Sequence, residues 1–253
     1  MLKRLLRIAV LGAAMASVGC QPGLGHQVSA HDFAFAFTQR DDITIRTLSS
    51  PQLRAAVWDR LEGPEEFRRV AAILGHGQEG EVVDSQFRDT EAIIQYRTPE
   101  HAQYRLHLIY DQDDWKVDDV LKEMSPGVYA SMRRQAEAVL AVRDFRRAIE
   151  RRDRNALAQA SSEALSRDTW RRMNDASMDK AAPLLTSLLE GTAGEVGDVF
   201  EPEHEKFAAR VGARDRPYTF YFVTERGRLV IDDVAVPGSP SPLRAILRDG
   251  PSA

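Results

Sequence analysis

Cysteine is almost absent from this chain of 253 residues, since Cys20 is the only one. A disulfide within the chain is therefore excluded, and so is a zinc site built on several cysteine ligands. The six histidines do not compensate, because no two of them have the i, i+4 or H-x-H spacing that is typical of zinc ligands. These histidines are His26, His31, His76, His101, His107 and His204. The sequence accordingly predicts no bound metal.

The chain also lacks the short motifs of several large enzyme classes. It contains no G-x-S-x-G sequence, no phosphate-binding P-loop and no dinucleotide-binding glycine pattern. The short glycine cluster Gly75-His76-Gly77 is typical of a helix end. The sequence consequently predicts no cofactor, and it identifies no catalytic residue.

A strong excess of charge of one sign is missing as well. Lysine and arginine total 34 against 38 aspartates and glutamates, which gives a formal net charge of −4. Without the three basic residues Lys3, Arg4 and Arg7 the charge becomes −7. Sequence-independent binding to nucleic acid depends on basic side chains that neutralise phosphates. We therefore expect no nucleic acid among the partners.

The apolar run Ile8–Gly19 is too short to span a bilayer permanently, but it is typical of a signal-peptide core. It ends at Ser17-Val18-Gly19-Cys20, which resembles the lipobox of bacterial lipoproteins, with Ser17 in place of the usual leucine. The resemblance implies a signal segment over 1–20, lipidation of Cys20 and a membrane-anchored protein of the cell envelope that faces the periplasm or the exterior. A second interpretation stays open, because cleavage after Ala14-Met15-Ala16 would release a soluble secreted protein.

An internal repeat is the most informative feature that the sequence does have. Residues 32–61 align with 144–173 without a gap and share ten identical positions. Residues 104–120 align in the same way with 218–234, and both segments contain an Asp-Asp-Val sequence near the end. Self-similarity at this distance predicts two copies of one small domain.

Each copy changes from a helical to an alternating pattern of apolar residues. In the first copy we expect helices over 30–39, after Ser49-Ser50-Pro51 and over 64–74, and in the second a long helix from about 130, followed by 161–173 and 181–189. Strands are predicted over 81–87, 92–97, 104–110 and 115–121, and over 195–200, 206–211, 218–224 and 229–236. Helices followed by an antiparallel meander indicate the α+β class.

This order of elements resembles the nuclear transport factor 2-like superfamily, which includes ketosteroid isomerase and the SnoaL-like cyclases. The residues that carry the resemblance are the Phe33–Asp41 helix, Ser49-Ser50 before Trp58, and the closing strands 115–120 and 229–234. The resemblance implies two tandem cone-like domains, each with about three helices and a curved antiparallel sheet, and it allows the two domains to pair. The domains are expected over 30–124 and 130–237, with a tether at 21–29 and a tail at 238–253 that contains a short helix over 243–247.

Two interpretations are open for the residue types that could line a cone pocket. Catalysis of the ketosteroid isomerase type needs an aspartate base, a tyrosine and a protonated carboxylic acid in an apolar pocket. Residues of suitable type are Trp58, Tyr104, Asp119, Trp170, Tyr218 and Asp233. The other interpretation places the aromatic residues in the core and the aspartates in contacts that a helix or turn satisfies. The presence of the aspartate pair in both copies favours this structural role.

The function predicted from the sequence is that of an exported, lipid-anchored binding or scaffold protein without catalytic activity. Its partner would be another protein or a small apolar ligand. The alternative is an isomerase- or cyclase-type enzyme, or a small apolar ligand-binding protein, that uses the pocket of one cone.

Overall fold

A computed structural model describes residues 25–74, 80–99, 101–203 and 206–249 of the chain. The predicted signal segment 1–20 with Cys20, the cluster Gly75-His76-Gly77 and His204 lie outside the described residues, as does the start of the tether. Within these four ranges, no helix combines the length and the apolar character that crossing a membrane requires.

The first copy begins with α1 (Gly25–Gln39), α2 (Asp42–Leu48), α3 (Pro51–Ala56), a 3-10 turn (Trp58–Arg60) and α4 (Pro64–Leu74). The second copy repeats this order with α5 (Met132–Glu150), α6 (Arg154–Ala160), α7 (Glu163–Asp168) and α8 (Asp175–Gly191). The helices predicted over 30–39, over 64–74, from about 130 and over 181–189 are confirmed, although α1 and α8 begin earlier, at Gly25 and Asp175. The helices predicted after Ser49-Ser50-Pro51 and over 161–173 are shorter, and the sequence pattern did not predict α2 and α6.

The identical Arg-Asp pairs of the repeat join the first two helices of each copy. Arg40 and Arg152 have left-handed backbones, with φ of 56° and 50°. Asp41 then caps α2 by accepting a hydrogen bond from the Thr44 N–H, and Asp153 caps α6 in the same way. The left-handed residue turns the chain, and the carboxylate satisfies N–H groups that a helix start leaves unpaired.

The strands of the first copy are β1 (Glu81–Arg88), β2 (Glu91–Arg97), β3 (Gln103–Asp111), β4 (Asp114–Ser125) and β5 (Val128–Ser131). They form one antiparallel meander in this order. The turn between β3 and β4 has two central residues, Gln112 and Asp113, and both have positive φ. Such a turn matches the twist of the strands that it joins.

A four-stranded antiparallel sheet follows in the second copy, with β6 (Phe200–Glu203), β7 (Lys206–Val211), β8 (Tyr218–Glu225) and β9 (Arg228–Ala235). The chain then forms α9 (Leu243–Asp249), which confirms the short helix expected in the tail. Helices that precede an antiparallel sheet in each copy confirm the α+β class.

The predicted strand over 195–200 is wrong, because regular pairing starts only at Phe200. Within the stretch, Val196 makes an isolated bridge to Val211. Glycines account for the difference: a Cβ on Gly194 would lie 3.2 Å from the Gly212 Cα, and a Cβ on Gly197 would lie 3.1 Å from the Arg210 carbonyl oxygen. Because the two backbone segments approach each other so closely, they do not form the regular hydrogen-bond ladder of paired strands.

The chain divides into two compact units. The first comprises the described parts of 1–50 and 75–129, and the second those of 51–74 and 130–253. Helices α3 and α4 therefore belong to the second unit, although the repeat places them with the first copy. The predicted boundaries 30–124 and 130–237 describe the repeat of the sequence, and they stay a prediction.

Each unit has its own buried apolar residues. In the first unit the inner face of the sheet contributes Ile94, Leu106 and Leu108, each at most 2% exposed, and α1 contributes Phe33. In the second unit Phe145 of α5 lies at 6.0 Å from Trp170 and at 6.3 Å from Phe220, measured between ring centroids. Leu243 of α9 completes this core and is fully buried.

Candidate functional site

The repeated Asp-Asp pair marks a β-bulge at the same place in both sheets. In the first unit His107 pairs with Asp119 and Leu108 pairs with Val117, so that Asp118 is the extra residue. In the second unit Tyr221 pairs with Asp233 and Phe222 with Ile231, which leaves Asp232 extra. A bulge redirects a side chain out of the regular alternation of the strand.

A serine at the start of the third helix of each copy binds the bulged aspartate. The Ser50 hydroxyl donates to Asp118 Oδ1 at 2.6 Å, and the Ser162 hydroxyl donates to Asp232 Oδ1 at 2.7 Å. The backbone N–H groups of the two serines donate to the carbonyl oxygens of Val117 and Ile231 at 2.8 and 2.7 Å. We call these two sites the serine–aspartate ties, and they anchor a helix start to the closing strand.

Ser162 also caps the start of α7. Its hydroxyl oxygen accepts a hydrogen bond from the Leu165 N–H at 3.0 Å while the hydroxyl donates to Asp232. The neighbouring Ser161 hydroxyl accepts from the indole N–H of Trp170 at 2.9 Å. Both hydroxyl groups of the Ser161-Ser162 pair therefore make structural hydrogen bonds.

The two ties differ in the positive group beside the aspartate. In the first unit His107 Nδ1 lies 3.9 Å from Asp118 Oδ2, and His107 Nε2 lies 3.9 Å from Glu91 Oε2. The Asp118 carboxylate raises the pKa of His107; partial burial opposes this effect, and Glu91 and Asp119 add to it. In the second unit Tyr221 stands at the position of the histidine in the strand register.

Arg244 of α9 supplies the positive charge in the second unit. Its Nη2 atom lies 2.9 Å from Asp232 Oδ1, and its Nε atom lies 3.9 Å from Asp233 Oδ2. Burial raises the pKa of Asp233, although the backbone N–H groups of Arg244 and Val234 and the Arg244 charge oppose the shift. Asp233 Oδ1 accepts from those two N–H groups at 3.1 and 2.8 Å.

The structure places the six residues proposed to line a pocket in three kinds of position. Trp58 and Trp170 are at most 1% exposed in the helical layer. Tyr104 stacks on Tyr96 at 5.4 Å between ring centroids, and the Tyr218 hydroxyl donates to the Ser187 carbonyl oxygen at 3.2 Å. Asp119 and Asp233 each accept from the N–H of the following residue at the bulge. Their role in a pocket stays a prediction.

A cleft in the second unit brings together residues that the sequence analysis did not select. It encloses about 220 Å³, and we call it the arginine cleft. Its walls come from one face of α5, from α6, from the start of β9 and from the residues that follow α3. The lining residues are Arg60, Glu62, Ala141, Asp144, Arg147, Ala148, Arg151, Ala156, Gln159, Ala160, Arg228, Leu229 and Val230.

Two of the four arginines in the arginine cleft are paired with carboxylates. Arg60 Nη2 lies 2.8 Å from Asp144 Oδ2, and Arg143, from outside the cleft, holds the other oxygen of Asp144 at 2.6 Å. Arg147 Nη1 lies 2.7 Å from Glu62 Oε1, and Arg147 Nη2 lies 2.7 Å from Glu66 Oε1. The Nη1 contact is an ion pair without hydrogen-bond geometry.

Arg151 and Arg228 are the two other arginines of the arginine cleft. Among the residues that the structure describes, neither has an ion-pair partner. Within the described ranges, the hydrogen bonding of the Arg228 guanidinium is limited to one long bond of 3.4 Å to the Gln159 carbonyl oxygen. The arginine cleft therefore has four arginines against two carboxylates, and its floor consists of small or apolar side chains. Such an arrangement attracts an anion that has an apolar part.

A second, more open depression of about 560 Å³ lies on the other side of α6. It includes Trp170, the only one of the six proposed pocket residues found in either concavity described here. Its arginines are engaged: Arg154 donates to the Met173 carbonyl oxygen, and Arg171 binds Glu163 at 2.7 Å. This depression therefore offers less unpaired charge than the arginine cleft.

The sequence of α5 contains a signal for the arginine cleft. Ala141, Asp144, Ala148 and Arg151 follow one another at spacings of three, four and three residues, which places them on one side of α5. Two alanines that alternate with two charged residues indicate a surface with room beside it. The contribution of Arg228 has no local signal, because it depends on how β9 lies against the helices.

Within the described ranges, no group of three or more histidine, aspartate or glutamate side chains is arranged to hold a metal ion. Comparison with known proteins gives no relative, since no protein-family model and no curated protein matches the chain.

Proposed function

We propose that the chain is a non-catalytic binding protein of the cell envelope whose arginine cleft takes a compact anionic ligand, one that carries a carboxylate or a phosphate. The observation that carries the proposal is the pair Arg151 and Arg228, which lie without carboxylate partners beside an apolar floor in the described part of the chain. A guanidinium group offers paired N–H donors that match the two oxygens of a carboxylate or phosphate.

The dimensions of the cleft support a small ligand. A volume of about 220 Å³ is below the roughly 300–1,000 Å³ that is typical of sites for drug-sized molecules. Ala148, Ala156 and Ala160 leave space beside α5 and α6, while Leu229 and Val230 supply apolar contact. The ligand would place its anionic end between Arg151 and Arg228 and its apolar part against the alanines.

The charged groups of the cleft suit binding better than acid–base catalysis. Arginine stays protonated at any physiological pH, so it neither accepts nor releases a proton during a reaction. Asp144 is held by ion pairs with Arg60 and Arg143. The cleft is thus equipped to hold and orient charge.

The proposal includes the tandem cone architecture of the nuclear transport factor 2-like superfamily. Its support is the order of four helices followed by an antiparallel sheet in both copies, with a bulge at the same position where each sheet's last two long strands pair. It also includes the lipid anchor on Cys20, which rests on the resemblance to a lipobox and would hold the arginine cleft close to a membrane surface.

The binding proposal is tested by titrating the full chain, with inorganic phosphate in one series and citrate in another, and following amide chemical shifts by NMR. We expect saturable shifts at Ala148, Gln159 and Val230. Arg151→Gln and Arg228→Gln should each weaken binding about tenfold, because each removes a charge-assisted hydrogen bond. A preference for one series would distinguish phosphate from carboxylate ligands.

The matched control is Arg226→Gln, because Arg226 is exposed in the β8–β9 turn and lies outside the cleft lining. It should leave the affinity unchanged. Shifts that never saturate, or equal losses for Arg226→Gln and Arg228→Gln, would show that the anions are attracted to the surface in general, and the proposal would be wrong.

The anchor is tested separately by metabolic labelling with a palmitate analogue. The wild-type chain should incorporate the label, and Cys20→Ala should not. An unlabelled wild-type chain would contradict the lipid anchor and favour the soluble secreted protein, without any consequence for the arginine cleft.

A further inference from the structure

Strand β1 is an exposed edge of the sheet in the first unit. Within the described residues it pairs with β2 alone, and every residue of β1 except Ser85 is exposed. Val82, Val83 and Phe87 are 46%, 39% and 52% exposed. A strand with unpaired N–H and C=O groups and apolar side chains is a template for pairing with another strand unless it is covered or charged.

A bulge in β1 determines which of its side chains share a face. Val82 pairs with Tyr96 and Phe87 pairs with Ala92, while Val83 is the extra residue of the bulge. Tyr96 and Ala92 are four residues apart on β2 and share a face. Val82 and Phe87 consequently share that face although they are five residues apart, which a regular strand would not allow.

The same bulge brings two opposite charges to the other face at the two ends of β1. Glu81 pairs with Arg97 and Arg88 pairs with Glu91 across the β1–β2 ladder. Glu81 and Arg88 thus lie on one face of the strand, close to its opposite ends. A strand that has an acid at one end and a base at the other is complementary to itself in the antiparallel direction.

We propose that two copies of this chain associate through β1, antiparallel, with a two-fold axis at Ser85 and with Val83 as the extra residue of both strands. Glu81 then lies opposite Arg88 of the second copy, and Val82 lies opposite Phe87 of the second copy. Each of these pairs occurs twice because of the two-fold symmetry. The two five-stranded sheets become one sheet of ten strands.

The charges across the four central strands support this register. Arg97, Glu81, then Arg88 and Glu91 of the second copy form a row in which the sign alternates at each strand. Opposite charges that face each other across strands stabilise a sheet, and like charges destabilise it. A shift of this pairing by one residue would bring the charged residues of one copy opposite the apolar residues of the other. The register of the two β1 strands is therefore well specified.

Phe87 is held in place before any association. Its ring stacks on His26 at 5.7 Å and meets Trp115 edge to face at 5.6 Å, measured between ring centroids. The neighbouring Ser85 hydroxyl lies 3.0 Å from His26 Nε2. Since these contacts already order the apolar residue, pairing with Val82 of a second copy costs little side-chain entropy.

The experiment exchanges the charges at the two ends of β1. Sedimentation equilibrium is measured on the full chain with Cys20→Ser, which removes the sole thiol and lipidation. We expect a monomer–dimer equilibrium, weakened about tenfold by Glu81→Arg or by Arg88→Glu, because each change replaces two attractive pairs by repulsive ones. The double variant Glu81→Arg/Arg88→Glu should restore the affinity, since it recreates both pairs with reversed signs.

The control is Asp32→Arg, which makes the same charge change on the exposed side of α1 and should leave the equilibrium unchanged. Circular dichroism of each variant checks that the fold is retained. A wild-type chain that stays monomeric at every concentration would overturn the proposal. A dimer that ignores both single changes, or that the double variant fails to restore, would also overturn it. Because the arginine cleft lies in the second unit, none of these outcomes bears on anion binding.

Discussion

At the scale of single residues, the identities of the repeat are explained by contacts that hold helices to strands. The Arg-Asp pairs supply a left-handed turn and a helix cap, and the serine and aspartate pairs meet in the serine–aspartate ties. These residue types could be located from the sequence because their spacing repeats. Their partners could not, since Ser50 and Asp118 are 68 residues apart and no local pattern connects them.

Removal of one hydroxyl from a tie should destabilise the unit that contains it. Ser162→Ala removes a helix cap and leaves Asp232 with Arg244 as its remaining partner. We expect a loss of about 1–2 kcal/mol in the free energy of unfolding, measured by urea denaturation. Ser162→Thr, which keeps a hydroxyl, is the control. A loss below the error of the measurement would show that the tie contributes nothing to stability.

The histidine beside the first tie should make stability depend on pH. The pKa of His107 is raised in the folded chain, chiefly by Asp118. The contribution of the protonated ring is therefore fully present below the unfolded-state pKa of about 6.5 and disappears as the pH rises through the raised folded value. His107→Gln should cost up to about 1 kcal/mol at pH 5.5 and almost nothing at pH 9.

Denaturation of the wild-type chain and of His107→Gln at several pH values provides this comparison. Tyr221→Phe, at the equivalent register position of the second unit, should show no such change over the same range. An equal difference between the wild-type chain and His107→Gln at pH 5.5 and pH 9 would contradict the assigned role of the Asp118 charge.

At the scale of the elements, the sequence predicted the type and order of most helices and strands, because apolar spacing reports directly on which side of an element is buried. It failed at 195–200, where close backbone contacts through Gly194 and Gly197 override the β pattern. It also gave no means to assign α3 and α4 to a unit. An amphipathic helix shows that one face is buried, but not which surface covers it.

The contact between α4 and α5 provides a test at this scale. Glu66 binds Arg143 Nη1 at 2.5 Å and Arg147 Nη2 at 2.7 Å. Burial alone would raise the pKa of Glu66, but the Glu62 N–H and the two arginines outweigh it, so that the pKa is lowered. Glu66→Gln should cost about 1–2 kcal/mol at neutral pH, measured by denaturation.

That loss should vanish as the pH falls through the folded pKa of Glu66, because the wild-type side chain is then protonated as well. Glu65→Gln is the matched control, since Glu65 lies beside Glu66 but is 69% exposed, and its ion pairs within the described residues are with Arg68 and Arg69 of its own helix. Comparable losses for Glu65→Gln and Glu66→Gln would show that general surface charge, and not the contact with α5, stabilises this element.

At the scale of the whole molecule, the repeat predicts one division of the chain and the contacts give another. The repeat ends the first domain near residue 124, whereas residues 51–74 belong to the second spatial unit. The arginine cleft needs this spatial unit, because Arg60 and Glu62 line it together with α5 and β9. A cleft assembled from both copies of the repeat could not be located by examining either copy alone.

A fragment of residues 130–253 should therefore be unstable unless residues 51–74 are supplied. Without α4, the face of α5 that carries Arg143 and Arg147 has no partner. We expect a synthetic peptide of residues 51–74 to bind this fragment and to raise its melting temperature by about 5 °C or more, measured by circular dichroism.

A peptide with Glu66→Lys is the control and should raise the melting temperature less. If the fragment 130–253 unfolds cooperatively at a high temperature that neither peptide changes, then the domain 130–237 predicted from the repeat is self-sufficient. The assignment of residues 51–74 to the second unit would then have no energetic consequence.

The serine–aspartate ties also have a consequence for the rates of folding and unfolding. Each tie joins groups 68 or 70 residues apart, so it forms only after a long loop has closed. We expect such a contact to be completed after the main barrier to folding, so that its loss should accelerate unfolding more than it slows refolding. The lifetime of each folded unit should then depend in part on the serine hydroxyl that binds the bulged aspartate. A chain that resists spontaneous opening in this way also resists proteases that cut only the opened form.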